Sequence, residues 1–283
     1  MKIAPFIRAI HTHNRTADTE NRIEHLLVHT GQHYDDRMSR AFFEDLDIPD
    51  ADINLGVGSG THAEQVGHTM IAFEKVLQKE KPDWVVVVGD VNATCACSIT
   101  AKKEHVKCAH IEAGLRSRDM TMPEEINRLV TDRLSDLLLT PDLLSSENLR
   151  KEGVPESAIV FVGNIMIDTL EAQRTRAQNL DPCDIVNTAL FDVQPALNRD
   201  QERALTDGRF AAMTLHRPTN VDDPAVLSAI MDFLVQEVAA DMPLVWPLHP
   251  RTMKQMQASG LWNLAMACGN LLLVRPLGYH DLL

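Results

Sequence analysis

Trp84-Val85-Val86-Val87-Val88-Gly89-Asp90 is a β-branched run that stops on glycine and aspartate. Bounded in this way, it reads as a parallel strand buried on both faces. Asp90 then falls at the strand's carboxyl end, the edge where open α/β sheets hold their ligands. Ala109-His110-Ile111-Glu112 repeats the pattern: a short apolar strand stopping on a carboxylate, followed by Ala113-Gly114-Leu115-Arg116. Pro123-Glu124-Glu125-Ile126-Asn127-Arg128 reads as a helix start, with Pro in the first position, acids in the first turn, and Glu124 and Arg128 on one face at i,i+4. Asp90, Glu112 and Glu124 could therefore converge on one crevice, which makes acid/base chemistry the leading idea.

The totals bound the rest. The 283 residues, 45% hydrophobic and 24% charged, suit a soluble globular protein of two domains. No apolar run reaches membrane-spanning length and no signal peptide opens the chain, so the default address is the cytoplasm. A formal net charge of -13 disfavours nucleic acid and anionic membranes as partners. It leaves room for an anionic small ligand held by a local cluster of donors. The five cysteines are odd in number and form no Cys-x-x-Cys pair, so buried reduced thiols are favoured over metal ligands or disulfides.

Along the chain, residues 1–10 have the apolar spacing of a helix, with no strand before it. A strand over 25–31, a helix over 35–46, a short strand over 52–55 and a Gly-rich loop over 56–60 follow. The loop is not a Walker loop, since no Gly-Lys-Ser/Thr follows. Thr61 caps a long helix. Cys95 and Cys97 lie in an Ala-rich helix over 93–103. Further strands are expected at 137–140 and 158–164, with Ser145 or Ser146 capping a short helix between them. Strand and helix alternate throughout, which argues a parallel α/β sheet. Residues 1–178 make a first domain. Residues 179–207 carry Pro182, Pro195 and weak periodicity, and read as a linker with one helical turn. Residues 208–283 form a second α/β unit, with strands at 210–215, 244–248 and 271–274 and a helix from Pro224 to about residue 240. Three strands are thin for a domain.

Each candidate has a plain structural alternative. Asp90 could simply cap the next helix. Glu112, a second carboxylate at the same sheet edge, points more firmly to function. Glu124 alone would be an ordinary helix-start acid beside Arg128. His216 with Arg217 at a strand end can do acid/base work or hold an anion. His110 reads as a core residue, and His249 as a residue at the matching edge. Lys2 could reach a phosphate or remain solvated. No His-x-x-x-His sits on an expected helix beside a third ligand, so no metal is expected.

Val88-Gly89-Asp90-Val91-Asn92-Ala93-Thr94, His110-Ile111-Glu112-Ala113-Gly114-Leu115-Arg116-Ser117, Pro123-Glu124-Glu125-Ile126-Asn127-Arg128, Val162-Gly163-Asn164-Ile165-Met166-Ile167-Asp168, Thr214-Leu215-His216-Arg217-Pro218-Thr219-Asn220-Val221 and Pro276-Leu277-Gly278-Tyr279 occur in that order. Together they resemble the non-hydrolysing UDP-N-acetylglucosamine 2-epimerases over essentially the whole chain. The resemblance implies an α/β protein of two Rossmann-like domains facing across a cleft, as in GT-B glycosyltransferases. It implies interconversion of UDP-GlcNAc and UDP-ManNAc by anti-elimination of UDP to a 2-acetamidoglucal and re-addition, in cell envelope polysaccharide biosynthesis. No cofactor is needed, and a homodimer is expected. Carried over by motif, Asp90, Glu112 and Glu124 are the acid/base candidates and His216 lies near the diphosphate. Lys2 in Met1-Lys2-Ile3-Ala4-Pro5 matches a family lysine, and Arg128 and Arg217 are substrate-binding candidates. Which carboxylate removes the C2 proton stays open. A GT-B glycosyltransferase and a non-catalytic nucleotide-sugar-binding remnant are the alternatives. Hydrolysing epimerases are disfavoured, because they carry Gly-Asp-Arg where this chain has Gly89-Asp90-Val91.

The family's first strand and Gly-Thr-Arg-Pro-Glu loop would precede Met1, and its Asp-Ser-Gly-Gly-x-Gln-Glu-Glu segment would follow Leu283. On this reading the second domain is incomplete and the nucleotide clamp reduced, because backbone N–H groups at that helix start hold phosphate. Residues 1–283 alone are then expected to turn over UDP-GlcNAc weakly or not at all. A coupled assay showing turnover at normal family rates refutes that expectation.

Overall fold

The computed structural model describes residues 1–31, 46 and 48–283. The chain forms two compact units, Met1–Ala172 and Gln173–Leu283. The helix expected over 35–46 falls outside the described residues except for Leu46, which is buried.

The first unit opens with helix α1 (Ile3–Thr16), which buries Ala4, Ile7 and Ile10 at helical spacing. Strands β1 (Val28–His29) and β2 (Ile53–Asn54) pair in parallel; the strand expected over 25–31 shortens to two residues. Helix α2 (His62–Glu80) starts on a capping box, Thr61 accepting from the Glu64 amide while Glu64 accepts from the Thr61 amide. Then β3 (Trp84–Val88), α3 (Asn92–Lys103), β4 (Lys107–Ile111), α4 (Pro123–Leu134), β5 (Leu137–Thr140), α5 (Leu143–Lys151) and β6 (Ile159–Phe161) alternate. The four strands pair in parallel in the order β3-β4-β5-β6, as strands joined by helical crossovers do. Helix α6 (Ile165–Gln178) follows.

Two sequence expectations change here. The Val85–Val88 run is not buried on both faces: Val85 and Val87 are 7% exposed, whereas Val86 is 36% and Trp84 41% exposed. The reason is that Phe73, Leu77, Cys97 and Ala101, from α2 and α3, pack against Val85 and Val87 on one face. The Trp84 ring instead lies under the Lys107 ammonium. And α5 is capped by Asp142, whose carboxylate accepts from the Ser145 amide, while Ser145 and Ser146 lie inside the helix and are buried. Asp142 stands in extended backbone one residue before the helix, where its side-chain oxygen reaches a first-turn amide; the serines, inside the helix, cannot take that place.

In the second unit, β7 (Ala211–Ala212), β8 (Leu244–Pro247) and β9 (Leu271–Val274) form a parallel sheet. Alternation along β8 and β9 sends Leu244, Trp246, Leu271 and Leu273 to one core and Val245, Leu272 and Val274 to another. The second core is closed by Val186, Leu190, Leu197 and Leu205. They come from the stretch read as a linker with one helical turn. It carries two helices, α7 (Pro182–Ala189), capped by Asp181, and α8 (Arg199–Thr206), capped by Asn198 in a capping box with Gln201. Each is only 8 residues long, too short to show a period, yet each covers the sheet. The helix expected to run to about residue 240 does so, with a π turn inside it: α9 (Pro224–Phe233) passes through Leu234–Val238 into a last α turn over Ala239–Asp241.

All five cysteines are free; Cys95, Cys97 and Cys108 are buried, while Cys183 and Cys268 are half-buried. Burial pushes the Cys97 thiol up to about 12, so it stays protonated and inert.

Gly114 shows how tightly the carboxyl end of the first sheet is built. Its φ is +83°, and a Cβ there would lie 2.4 Å from the Ser145 carbonyl oxygen on α5. Gly153, at φ +82°, has open space around it. Gly153→Ala should therefore lose only the left-handed backbone cost, about 1–2 kcal/mol. Gly114→Ala should lose more, because α5 must also shift. Urea unfolding of the first unit measures both, and equal losses would contradict the close-approach reading.

Candidate active site

The acid-bearing segments meet at the carboxyl ends of β3, β4 and β5. Register Val88↔Ile111 sets the ends of β3 and β4 side by side. The Gly89 amide donates to the Ile111 carbonyl, and the Glu112 and Ala113 amides both donate to the Leu139 carbonyl, at 3.1, 3.0 and 3.1 Å. Glu112 leaves the strand with φ +74°, a conformation that side-chain-bearing residues adopt at some cost and that concentrates at functional positions. Its carboxylate accepts from the Lys2 ammonium at the start of α1. Gly89 lies beneath this pair at φ +72°, a conformation glycine takes without strain, and a Cβ there would sit 3.2 Å from Lys2 Nζ and crowd the ammonium.

Asp90, one residue on, does not cap α3, whose N-cap is Val91 without a side-chain bond. Asp90 Oδ2 accepts from Arg128 Nε at 3.0 Å and Nη2 at 2.5 Å. Asn127 reaches the same loop, its Nδ2 donating to the Asp90 carbonyl at 2.9 Å. The i,i+4 spacing suggests a Glu124–Arg128 pair. The guanidinium instead takes Asp90 and, through Nη1 at 3.0 Å, Glu125. Glu124, half-buried in the first turn of α4, makes no hydrogen bond among the described residues.

Glu125 is the acid that sequence reasoning passed over. It is buried and accepts from the Ser117 amide (2.9 Å), the Ser117 hydroxyl (3.0 Å) and the Arg118 amide (3.0 Å). Burial opposes its ionisation, but the two amides, Arg128 and the hydroxyl outweigh it and hold the carboxyl down at about 2. The only signal in the sequence was its i,i+3 spacing to Arg128. A second buried network lies below. His110 Nδ1 is 2.6 Å from Asp132 Oδ1 and its Nε2 is 2.8 Å from the Gly89 carbonyl oxygen. Asp132 Oδ2 accepts from the Gly114 amide at 3.0 Å and Arg116 Nη1 at 2.7 Å. Arg116 also donates twice to Glu152.

The structure thus joins Lys2 with Glu112 and Asp90 with Arg128, and hangs Glu124 on the helix that carries Arg128. His216 and Arg217 belong to the second unit, after β7, and both are exposed. The His216 ring lies 5.8 Å from that of His249, centroid to centroid. His249 Nδ1 accepts from the Arg251 amide and so caps the helix Pro250–Ala258. The Arg217 side chain makes no hydrogen bond or ion pair among the described residues. Chemically, the first unit offers carboxylates facing two cations, and the second offers imidazoles beside an uncommitted guanidinium suited to an anion.

Residues 15–283 match the family model described as UDP-N-acetylglucosamine 2-epimerase. A UDP-N-acetylglucosamine 2-epimerase of Methanocaldococcus jannaschii is 37% identical over 285 residues, spanning 100% of this chain and 72% of the relative. A UDP-2,3-diacetamido-2,3-dideoxy-D-glucuronate 2-epimerase of Pseudomonas aeruginosa is 42% identical over 244 residues, 86% of this chain and 63% of that protein. Among solved structures, the Methanocaldococcus jannaschii UDP-GlcNAc 2-epimerase in complex with UDP-GlcNAc and UDP matches with a TM-score of 0.79 at 34% identity, over 99% of this chain and 71% of that one. The parallel α/β architecture is that of these GT-B-like structures.

Glu125 gives a pH test. Its carboxyl lies at about 2 in the folded chain against 4.5 for an unperturbed glutamate, so its contribution to stability is fully present above 4.5 and is lost as pH falls towards 2. The stability gap between the native chain and Glu125→Gln, measured by denaturant unfolding, should narrow over that window. A gap independent of pH would show that the carboxylate is not held in its charged form.

Proposed function

The chain belongs to the UDP-N-acetylglucosamine 2-epimerase family, and on that footing we propose that it inverts C2 of UDP-GlcNAc to give UDP-ManNAc. A carboxylate takes the C2 proton, the C–H electrons form the C1=C2 bond, and the C1–O bond breaks with its electrons passing to UDP. Protonation of C2 on the opposite face and re-addition of UDP at C1 complete the inversion. The C2 hydrogen is weakly acidic, so a base and an acid must act from opposite sides of the ring.

The observation that carries the reading is the placing of Asp90 and Glu112 at adjacent, register-locked strand ends, Asp90 against Arg128 and Glu112 against Lys2. These two and Glu124 are the proton-transfer set of the proposal. Lys2 and Arg128 hold Glu112 and Asp90 in place, and His216 with Arg217 takes the diphosphate. We further read the protein as a cytoplasmic homodimer serving envelope polysaccharide synthesis, on the strength of the family resemblance. Among the described residues, no helix is long and apolar enough to cross a membrane.

A second substrate has support of its own. The Pseudomonas aeruginosa relative is the more identical of the two, although over a shorter span, and is named for a diacetamido glucuronate sugar. The same elimination chemistry serves either sugar.

Incubation with each UDP-sugar in D2O decides between the readings. UDP-ManNAc, carrying one deuterium at C2 and formed without an acceptor, is expected from UDP-GlcNAc, for residues 1–283 alone at a rate well below the family's normal one. A requirement for an acceptor would indicate a transferase, and UDP binding without C2 exchange a non-catalytic protein. Relative to the native chain, Asp90→Asn and Glu112→Gln should each lower kcat by about 100–10,000-fold.

A further inference from the structure

We propose that His110 is the positioning residue that holds the three acid-bearing segments together, an inference that rests on the epimerase reading above. Its ring is completely buried on β4. Nε2 meets the carbonyl of Gly89, the residue before Asp90, and Nδ1 meets Asp132 on α4, the helix that carries Glu124 and Arg128. Glu112 lies two residues further along the ring's own chain. One imidazole therefore touches the segment of the first acid and the helix of the third, and its backbone carries the second.

The anchor is itself fixed. Asp132 receives the Gly114 amide and Arg116 on its other oxygen, so the ring is held against a carboxylate that is already oriented. Arg116 and Glu152 extend the chain of contacts to α5. His110, Asp132 and Arg116 are all buried or nearly so. A leucine at this place in a central strand would contribute about 1.5–3 kcal/mol by burial and would need no partners. A buried polar network carries a desolvation cost instead, and is useful where geometry must be single-valued. Proton transfer at a ring carbon is such a case, since acids need placing to within about 0.5 Å. A misplacement of about 1 Å is worth about 100-fold in rate.

The test is His110→Gly in the full chain, which leaves a space shaped for imidazole between the Gly89 carbonyl and Asp132. Hydrogen exchange at C2 of UDP-GlcNAc in D2O should fall about 100-fold while affinity for UDP, by calorimetry, is unchanged. Added imidazole should restore exchange. 1-Methylimidazole, which fills the space but lacks a second nitrogen contact, should not. Equal rescue by both, or no loss in the folded variant, would overturn the inference.

Asp132→Asn serves if His110→Gly does not fold. It removes the charge with little change of shape, and undiminished exchange in it would also overturn the proposal. Protection of the Gly114 amide against hydrogen exchange separates the two readings. It should drop in either variant and, in His110→Gly, return with imidazole, whether or not UDP-GlcNAc is turned over. A native chain that exchanges no C2 hydrogen would sink the epimerase reading and leave the His110 tie to be decided by that amide, whose unchanged protection would refute it.

Discussion

The guanidinium of Arg128 is the contact on which the first unit's acidic edge depends. Two carboxylates, Asp90 from the β3 exit and Glu125 from the first turn of α4, approach it from different elements. Without a shared cation they would repel one another in a half-buried setting, where charge interactions are stronger than in water. Hydrogen bonds to charged groups are worth about 1.5–3 kcal/mol each, and the planar fork of arginine fixes direction as well as distance. A lysine could neutralise the pair but could not set both angles. Glu125 passes the constraint on to Ser117 and Arg118, so the loop between β4 and α4 is tied to the same cation.

Charge is compensated locally throughout this edge, against a formal net charge of -13 for the chain. Lys2 faces Glu112, Arg128 faces Asp90 and Glu125, and Arg116 lies between Asp132 and Glu152. Acids paired in this way are oriented before substrate arrives, and preorganisation is where most electrostatic catalysis originates. The two left-handed residues at matching strand ends, Gly89 and Glu112, show the same edge bending backbone to aim side chains. Only one of the two bears a side chain, and that side chain is a carboxylate.

Much of this was legible in the sequence, for particular reasons. Asp90 and Glu112 follow short apolar runs at the ends of strands, and Pro123 with two acids marks a helix start, so both strand exits and α4 could be read. Glu125, Asp132 and Arg116 could not. In a linear pattern a helical acid looks solvated whether or not the fold later folds a loop over it, and apart from Arg128 beside Glu125 the partners that fix these side chains lie 7–36 residues away in sequence. His110 was read correctly as core, but its two partners come from other elements and leave no local trace. The helices α7 and α8 were lost because each spans about two turns, and their apolar residues make sense only against β8 and β9. The β3 run looked doubly buried because valine is compatible with either environment; only the packed helices show which face is covered.

The central claim is that one sugar ring is worked on at the joined ends of β3 and β4. A crystal structure of the Glu112→Gln variant with UDP-GlcNAc tests it most directly. The account predicts the sugar's C2 beside Asp90 and residue 112, within direct reach of about 2.6–3.2 Å or one bridging water of a side-chain oxygen. A sugar ring lodged away from those strand ends, with Asp90 and residue 112 touching none of it, would contradict the account.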